Sequence, residues 1–281
     1  MPNSLSLRQQ TFLSIVTFCY ICLCLSDPEA RAQETFSLRT LAHRFAPVLI
    51  HDSREISPLT SVEAQQKLGW QQTSEFIDLQ GRIATTSPAA YYAGTVAGRY
   101  LYLQYWFFYS WNDTRHFGVL EPCTRHEGDW EHIGLRLDRL DNFRLTDAYY
   151  AAHKRGFRGE TKHLTPSQLR YVEKRPVVYV SRGSHASYPA PGTYPLAQIL
   201  GYTFQDVNDG QGLRVDTQPH LLPLRQQSWF HYAGRWGVSR WGPCDLLKVL
   251  TPLSNDGPTG PGFGDKVRVL QQGDWYDAKR P

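Results

Sequence analysis

The stretch RHEGDWEHIGL, residues Arg125–Leu135, places three acidic side chains and two histidines directly before an apolar run. From Asp129 to Leu137 the segment DWEHIGLRL reads as a β-strand, in which side chains two positions apart share a face. Asp129 and Glu131 then lie on the same face as the apolar residues that follow at every second position. Because two such carboxylates repel each other and lose solvation, they require a cation or a bound proton.

A divalent metal ion supplies such a cation most simply. His126 lies three residues before Asp129, and Asp113, just after an aromatic segment, is a further candidate ligand. One histidine with several carboxylates forms an oxygen-rich site, which favours Ca²⁺, Mg²⁺ or Mn²⁺ over structural Zn²⁺. Two alternatives stay open: a buried ion-pair network with Arg125 or Arg115 as the partner, and a pair of catalytic carboxylates.

The remaining patterns predict many strands and few helices. Apolar runs at Tyr100–Trp111 and Pro176–Gly183 are typical of buried strands. Helix signals occur at Ser61–Gly69, which begins with an N-cap serine, and at Thr165–Lys174, which has proline at its first helical position. Strands separated by Gly- and Pro-rich turns predict a mostly-β fold, a β-sandwich with long loops and a few short helices.

The N-terminal residues differ from the rest of the chain. Thr11–Leu25 is an apolar run of 15 residues, and Ala30-Arg31-Ala32 fits a small-x-small cleavage site. We predict a signal peptide over residues 1–32, followed by a single β-sandwich domain over residues 33–281 of a secreted or extracytoplasmic protein. An uncleaved membrane anchor is the alternative, although the run is short for a membrane span.

The number of cysteines indicates the redox compartment of the protein, and the net charge indicates which kinds of partner it binds. After cleavage the chain keeps Cys123 and Cys244, which predicts one disulfide in an oxidising compartment. Two separate buried thiols are the alternative. The formal net charge of +4 comes without a Lys/Arg run or a nucleic-acid motif, so we expect no nucleic-acid partner. We expect the chain to be a monomer.

A second polar motif, RGSHAS at Arg182–Ser187, puts Ser184 beside His185. Their adjacency suits a hydrogen-bonded turn better than a nucleophile and its base, and both residues stay candidates for a ligand-binding pocket. If a metal supports hydrolysis, His185 or His153 is the candidate general base. The sequence assigns no catalytic residue.

Several stretches, in order, resemble the family named after vacuolar protein sorting-associated protein 62 of yeast. The matching stretches are Leu41–Glu63, Tyr102–Asn112, His126–Ile133, Tyr149–Gly156, Arg175–Pro189 and Gly234–Gly237. HEGDWE together with the later GSHASYP is the most specific part of the resemblance. A secretory signal does not suit the vacuolar sorting role that the family's name suggests.

HEGDWE is also similar, more distantly, to the GHRHDWE heptapeptide of the necrosis- and ethylene-inducing-like proteins. Those are secreted cytolysins with a β-sandwich fold, which hold a divalent metal in an acidic cavity and recognise sphingolipid head groups. The resemblance implies that His126, Asp129 and Glu131 hold a metal. Gly128 stands where that family has its second histidine, and Asp113 is the nearest candidate for a further upstream aspartate ligand, at a different spacing.

These observations support three hypotheses about function. The first is a secreted divalent-metal-binding protein that recognises a membrane lipid head group or a glycan, with cytolysin-like activity implied by the resemblance. Trp130 and Trp111 would then stack on sugars or lie at a lipid interface. The second is a metal-dependent hydrolase of an ester or phosphodiester. The third is a structural secreted domain whose acidic stretch forms a buried charge network without a metal.

Overall fold

The computed structural model describes residues 37–114, 125–153, 162–199, 202–238 and 257–263. The two α-helices are α1 (Leu38–Arg44) and α2 (Val62–Leu68). Single 3-10 turns occupy Pro166–Gln168, Gln218–His220, Leu224–Gln226 and Ser228–His231. The first eight strands are β1 (Val48–His51), β2 (Gln71–Gln72), β3 (Phe76–Asp78), β4 (Ala90–Ala97), β5 (Tyr100–Asn112), β6 (His126–Asp138), β7 (Arg144–Tyr150) and β8 (Lys162–Leu164).

The later strands are short, apart from one hairpin. They are β9 (Tyr171–Val172), β10 (Arg175–Val180), β11 (Ser187–Tyr188), β12 (Gly192–Ile199), β13 (Tyr202–Asn208), β14 (Arg214–Asp216), β15 (Leu221–Pro223) and β16 (Arg235–Trp236). These elements belong to a compact unit that begins at Leu38. No helix in the described part of the chain is long and apolar enough to cross a bilayer.

The larger sheet has six strands in the order β15-β4-β5-β6-β7-β8. Its centre is the antiparallel pair of 13-residue strands β5 and β6, in which Tyr109 lies opposite Asp129 and Phe107 lies opposite Glu131. Long paired strands of this kind bury the ladder hydrogen bonds and hold side chains at fixed positions. The acidic stretch is therefore carried by a rigid central strand.

The second sheet has β11-β10-β1-β14 as its path, and β9 also pairs with β10. Its β1 and β10 run parallel, with Val48 opposite Val177, while β14 is antiparallel to β1. Two smaller sheets are the β12–β13 hairpin and the set β16-β3-β2. The turn between β10 and β11 carries the RGSHAS motif.

Each face of the β5–β6 pair packs against a different layer. On one face Trp130 lies in an aromatic core with Tyr91, Phe108, Trp229 and Trp236. On the other face, Asp129 of β6 contacts His185 in the turn between β10 and β11 of the second sheet. The mostly-β fold with few short helices is confirmed.

The two predicted helices have different outcomes. The first is confirmed, because α2 begins after Ser61, whose hydroxyl accepts a hydrogen bond from the Ala64 amide at 2.9 Å, and ends at Gly69. The second is wrong beyond its first turn. Tyr171–Val172 pairs with β10 instead, and Glu173 and Lys174, both at positive φ, make the tight hairpin turn.

Two predictions lie outside the described residues. The signal peptide falls within residues 1–36, and both Cys123 and Cys244 lie in ranges that the structure does not describe. Secretion and the disulfide therefore stay predictions.

Candidate functional site

Gly128 divides the acidic stretch between two faces of the sheet. It has φ +60, and a Cβ at this position would lie 2.2 Å from the Trp236 carbonyl oxygen. Because this left-handed conformation interrupts the alternation of the strand, Glu127 and Asp129 point to opposite faces although they are two positions apart. A side chain at position 128 has no room, so a histidine like that of the resembling heptapeptide cannot occupy it.

Glu127 is a structural carboxylate on the aromatic side. It is fully buried and accepts hydrogen bonds from the backbone amides of Leu79, at 2.7 Å, and Gly81, at 2.6 Å. Two charge-assisted bonds to backbone amides satisfy a buried carboxylate and fix the turn after β3. Glu127 was not among the predicted site residues, and its contacts stabilise the fold.

Asp129 belongs to a buried ion-pair network on the other face. Its carboxylate accepts a hydrogen bond from His185 Nδ1 at 3.0 Å and from the Asn112 amide at 3.0 Å. The opposite ring nitrogen of His185 lies 3.6 Å from a carboxylate oxygen of Glu55. The His185 side chain, which is 0% exposed, therefore lies between two acids.

The charges of this network favour protonation of His185. Burial alone would lower its pKa, but the carboxylates of Glu55 and Asp129 raise it to about 10. Glu55 shows the reciprocal effect. Burial opposes its ionisation, yet the imidazolium and the amides of Gly183 and Ser57 lower its pKa to about 2. At neutral pH the three groups form an acid–imidazolium–acid series.

Tyr109 covers this series. Its ring stacks on the His185 imidazole with parallel planes and a centroid distance of 3.9 Å, a cation–π arrangement when the imidazole is protonated. Its buried hydroxyl has no hydrogen-bond partner among the residues that the structure describes. Burial and the nearby carboxylates of Glu131, Glu55 and Asp129 raise the Tyr109 pKa well above its ordinary value.

Asp206 is the centre of an adjoining network. Fully buried on β13, its carboxylate accepts hydrogen bonds from the hydroxyls of Ser184 and Tyr188, each at 2.7 Å, and from His153 Nε2 at 2.6 Å. Burial opposes ionisation, but the His153 imidazole and the two hydroxyls lower the Asp206 pKa. The RGSHAS turn thus contributes Ser184 to one network and His185 to the other.

Glu131 and His153 lie where the networks approach the surface. The His153 side chain is 24% exposed and Glu131 is half-buried, in contrast to the interior groups beneath them. Burial lowers the His153 pKa, but Asp206, with smaller effects of Glu131 and Asp129, raises it to about 9. We name Glu131, His153, Asp129 and Asp206 the acidic site.

The predicted metal ligands are not brought together. His126 directs Nδ1 at the backbone carbonyls of Glu127 and Gly128, at 3.2 and 3.0 Å, and Asp113 is ion-paired with Arg125 at 2.9 Å. Across the described ranges, no group of three or more His, Cys, Asp or Glu residues is arranged to hold a metal ion. Protonated His185 against Asp129 also opposes a divalent cation there, so these residues do not fit the predicted four-ligand centre.

The other predicted site residues are mostly interior. Trp130, 1% exposed, is a core residue of the aromatic cluster and cannot stack on a ligand in this structure. Ser184 and His185 are buried hydrogen-bond donors to carboxylates. Trp111 is partly exposed. Because both His185 and His153 are protonated at neutral pH, neither has the neutral ring that a general base requires.

Sequence reasoning missed Glu55, Asp206 and Tyr109. Glu55 and Asp206 are 74 or more positions from Asp129 or Glu131, and no spacing rule connects residues so distant in the chain. A usable signal was the acid in HDSRE, which lies inside a stretch already matched to the resembling family. Asp206 begins the DVNDGQG segment, which makes a turn in which Asn208 accepts a hydrogen bond from the Gly210 amide at 2.7 Å.

Comparisons with known proteins agree with the resemblance to vacuolar protein sorting-associated protein 62. The family model described as vacuolar protein sorting-associated protein 62 matches residues 83–220. The protein of that name from Saccharomyces cerevisiae is 24% identical over 207 residues, which cover 62% of this chain and 43% of the yeast protein. The chain therefore spans less than half the length of this relative.

Among solved structures, the similar ones include two of NLPPya and one of a necrosis- and ethylene-inducing protein. NLPPya in complex with glucosamine has a TM-score of 0.41 and 13% identity, covering 77% of this chain and 91% of that one. NLPPya in complex with mannosamine has a TM-score of 0.40 and 14% identity, covering 69% and 77%. Necrosis and Ethylene inducing Protein 2, from the causal agent of cocoa's Witches Broom disease, has a TM-score of 0.36 and 14% identity, covering 68% and 74%. At these scores the likeness is distant.

Proposed function

We propose that this chain, which resembles the vacuolar protein sorting-associated protein 62 family, recognises a lipid head group or a glycan through the acidic site. One observation carries the proposal: Glu131 is near enough to His153 to help raise its pKa, and both side chains are partly exposed at the edge of the buried networks. A carboxylate accepts hydrogen bonds from sugar or inositol hydroxyls, and an imidazolium donates them.

The rigidity of the acidic site favours recognition. Asp206 holds His153 at 2.6 Å, and Asp129 is held by Asn112 and His185. A binding group whose position is already fixed loses little conformational entropy when the ligand arrives, which raises affinity. The buried groups act as positioning residues, and Glu131 and His153 are the groups that would contact the ligand.

A divalent cation remains a separate proposal. Of the predicted ligands, Asp129 and Glu131 alternate on one face of β6 as expected, whereas His126 and Asp113 are engaged elsewhere. No step of the proposed recognition depends on a metal. Titration calorimetry with CaCl₂, MgCl₂ and MnCl₂ tests the cation directly, and loss of a binding signal in Glu131→Gln but not in Glu173→Gln would support it.

The hydrolase hypothesis is less well supported. It needs a neutral histidine near a metal-activated water, and both candidate histidines have pKa values raised to about 9 or 10 by neighbouring acids. The chemistry of the acidic site therefore favours binding over catalysis. We also infer that binding takes place outside the cell, and N-terminal sequencing of the exported protein tests the cleavage after Ala32.

Flotation with vesicles tests the proposed recognition. The vesicles contain phosphatidylcholine alone, or phosphatidylcholine with a glycosyl-inositol phosphorylceramide or with a glucosylceramide. We expect wild-type protein to float with at least one glycosylated lipid, and Glu131→Gln or His153→Gln to bind about tenfold more weakly, the loss of one charge-assisted bond. Glu173→Gln, an exposed acid with a side chain 80% exposed, is the control. Equal binding to all vesicles, or unchanged binding by both variants, would contradict the proposal.

A further inference from the structure

A cavity lies on the opposite side of the six-stranded sheet from the acidic site. Its volume is about 350 Å³, and Trp70, Trp229 and Tyr232 form its aromatic walls. Trp229 packs on Trp130, whose neighbour Asp129 points to the other face. The cavity, which we name the aromatic cleft, is therefore separate from the acidic site and built from other elements.

The aromatic walls are held in place. The Trp229 indole donates a hydrogen bond to the Glu63 carboxylate at 3.0 Å, and Glu63 also accepts one from the Tyr91 hydroxyl at 2.8 Å. Trp70 and Tyr232 each pack edge-on against the buried Trp236 ring, at 5.9 and 6.1 Å. Ring planes fixed by the core form a preformed surface for a flat apolar ligand face.

The polar residues at the cleft are neutral amides and hydroxyls together with one histidine. Gln66 is on α2, Gln72 on β2, and Ser228 and His231 on one 3-10 turn, and all four are exposed. No Asp, Glu, Lys or Arg is among the described residues that line the cleft. An amide both donates and accepts, so the two glutamines can pair with adjacent hydroxyls of one ligand.

We propose that the aromatic cleft binds a neutral saccharide. A pyranose presents a C–H face that packs on Trp and Tyr rings and a rim of hydroxyls that suits amide and hydroxyl partners. The absence of lining charge disfavours phosphorylated, acidic or amino-bearing ligands, since no opposite charge compensates their desolvation. A volume of about 350 Å³ is at the small end of ligand pockets, which suits one or two sugar rings. This inference does not depend on the function proposed for the acidic site.

Saturation-transfer NMR with methyl glycosides of glucose, galactose and mannose tests the cleft. We expect at least one of them to bind wild-type protein at millimolar concentration. The double variant Gln66→Ala/Gln72→Ala should weaken that binding about tenfold or more, because it removes two amide partners without touching the core. Gln226→Ala, an exposed glutamine outside the cleft, is the matched control.

Two further measurements distinguish failure of the cleft proposal from failure of the acidic-site proposal. Glu131→Gln in the same NMR assay reports any glycoside that the acidic site binds, so only the binding that is lost in Gln66→Ala/Gln72→Ala and kept in Glu131→Gln is assigned to the cleft, while the vesicle assay tests the acidic site. If the double variant does not fold, Ser228→Arg at an exposed position blocks the cleft instead. The proposal is overturned if no neutral glycoside binds, if the cleft variants bind as wild type does, or if glucosamine or glucuronic acid binds the cleft more tightly than the neutral sugars.

Discussion

Replacing His185 with glutamine tests the central ion-pair network. In wild type the imidazolium lies 3.0 Å from an Asp129 oxygen and 3.6 Å from a Glu55 oxygen, with its side chain 0% exposed. His185→Gln leaves two buried carboxylates without their shared cation. Removing one partner of a buried ion pair costs about 3–5 kcal/mol of unfolding free energy.

The pKa of His185 gives a second measure of the same interaction. A rise from 6.5 to about 10 corresponds to about 5 kcal/mol, which agrees with the cost of breaking the pair. The lowered pKa of Glu55 describes the same contact from the other side, so the two values are not added. We therefore expect this single buried substitution to cause a large loss of stability.

The pH dependence has a definite sign. Because the folded pKa of His185 exceeds the unfolded value, its stabilisation is complete below pH 6.5 and disappears as the pH rises through about 10. Since Glu55 has a lowered pKa, its contribution is complete above about pH 4.5 and disappears as the pH falls through about 2. Between pH 6.5 and 8.5 the wild type should lose about 2 kcal/mol through His185.

Urea unfolding at pH 6.5 and pH 8.5 measures both effects. We expect His185→Gln to be less stable at pH 6.5 and to decline less steeply than wild type toward pH 8.5, because only the contribution of His153, whose pKa is also raised, remains. His220→Gln, at an exposed histidine, should behave as wild type. A loss below about 1 kcal/mol at pH 6.5, or an unchanged decline in the variant, would refute the charged network.

Three further predictions concern neighbouring positions. Gly128→Ala should cost more than Gly98→Ala in urea unfolding, because both glycines have positive φ but only the Cβ at 128 would meet a backbone oxygen, and equal costs would contradict this. Tyr109→Phe should leave stability unchanged or raise it by about 1 kcal/mol, whereas Tyr105→Phe, which loses a 2.8 Å hydrogen bond to the Ala42 carbonyl, should lower it by about 1 kcal/mol. Asp206→Asn should lower the His153 pKa from about 9, as measured by NMR titration, and an unchanged value would exclude Asp206 as the main cause.

The local parts of the fold were predictable from the sequence. The cap residues at Ser61 and Gly69 fix α2, and the apolar run from Tyr100 fixes β5. Alternation places Asp129 and Glu131 on one face of β6, where they lie opposite Tyr109 and Phe107 of β5. Propensity and periodicity act over a few residues, so elements governed by them can be read directly.

The predictions that failed concern features that depend on contacts between distant residues or on an unusual backbone conformation. The segment after Pro166 lost its helix because a hairpin with β10 uses Glu173 and Lys174 at positive φ, a conformation that neither residue type signals. The charge network of Asp129 also depends on residues that are distant in the sequence. His185 contacts Asp129, and Glu55 contacts His185, only because the two sheets pack together. No local pattern specifies such a meeting.

Two carboxylates, Asp129 and Glu131, precede the apolar part of β6. The charge of Asp129 is compensated without a metal ion. Asp129 needs a compensating cation in the core, and the imidazolium of His185 is that cation, itself shared with Glu55. A histidine meets this need only while its pKa stays high, which depends on both acids at once. Removing either acid should therefore lower the affinity of His185 for its proton and weaken the remaining pair, so the two carboxylates stabilise each other through the ring between them.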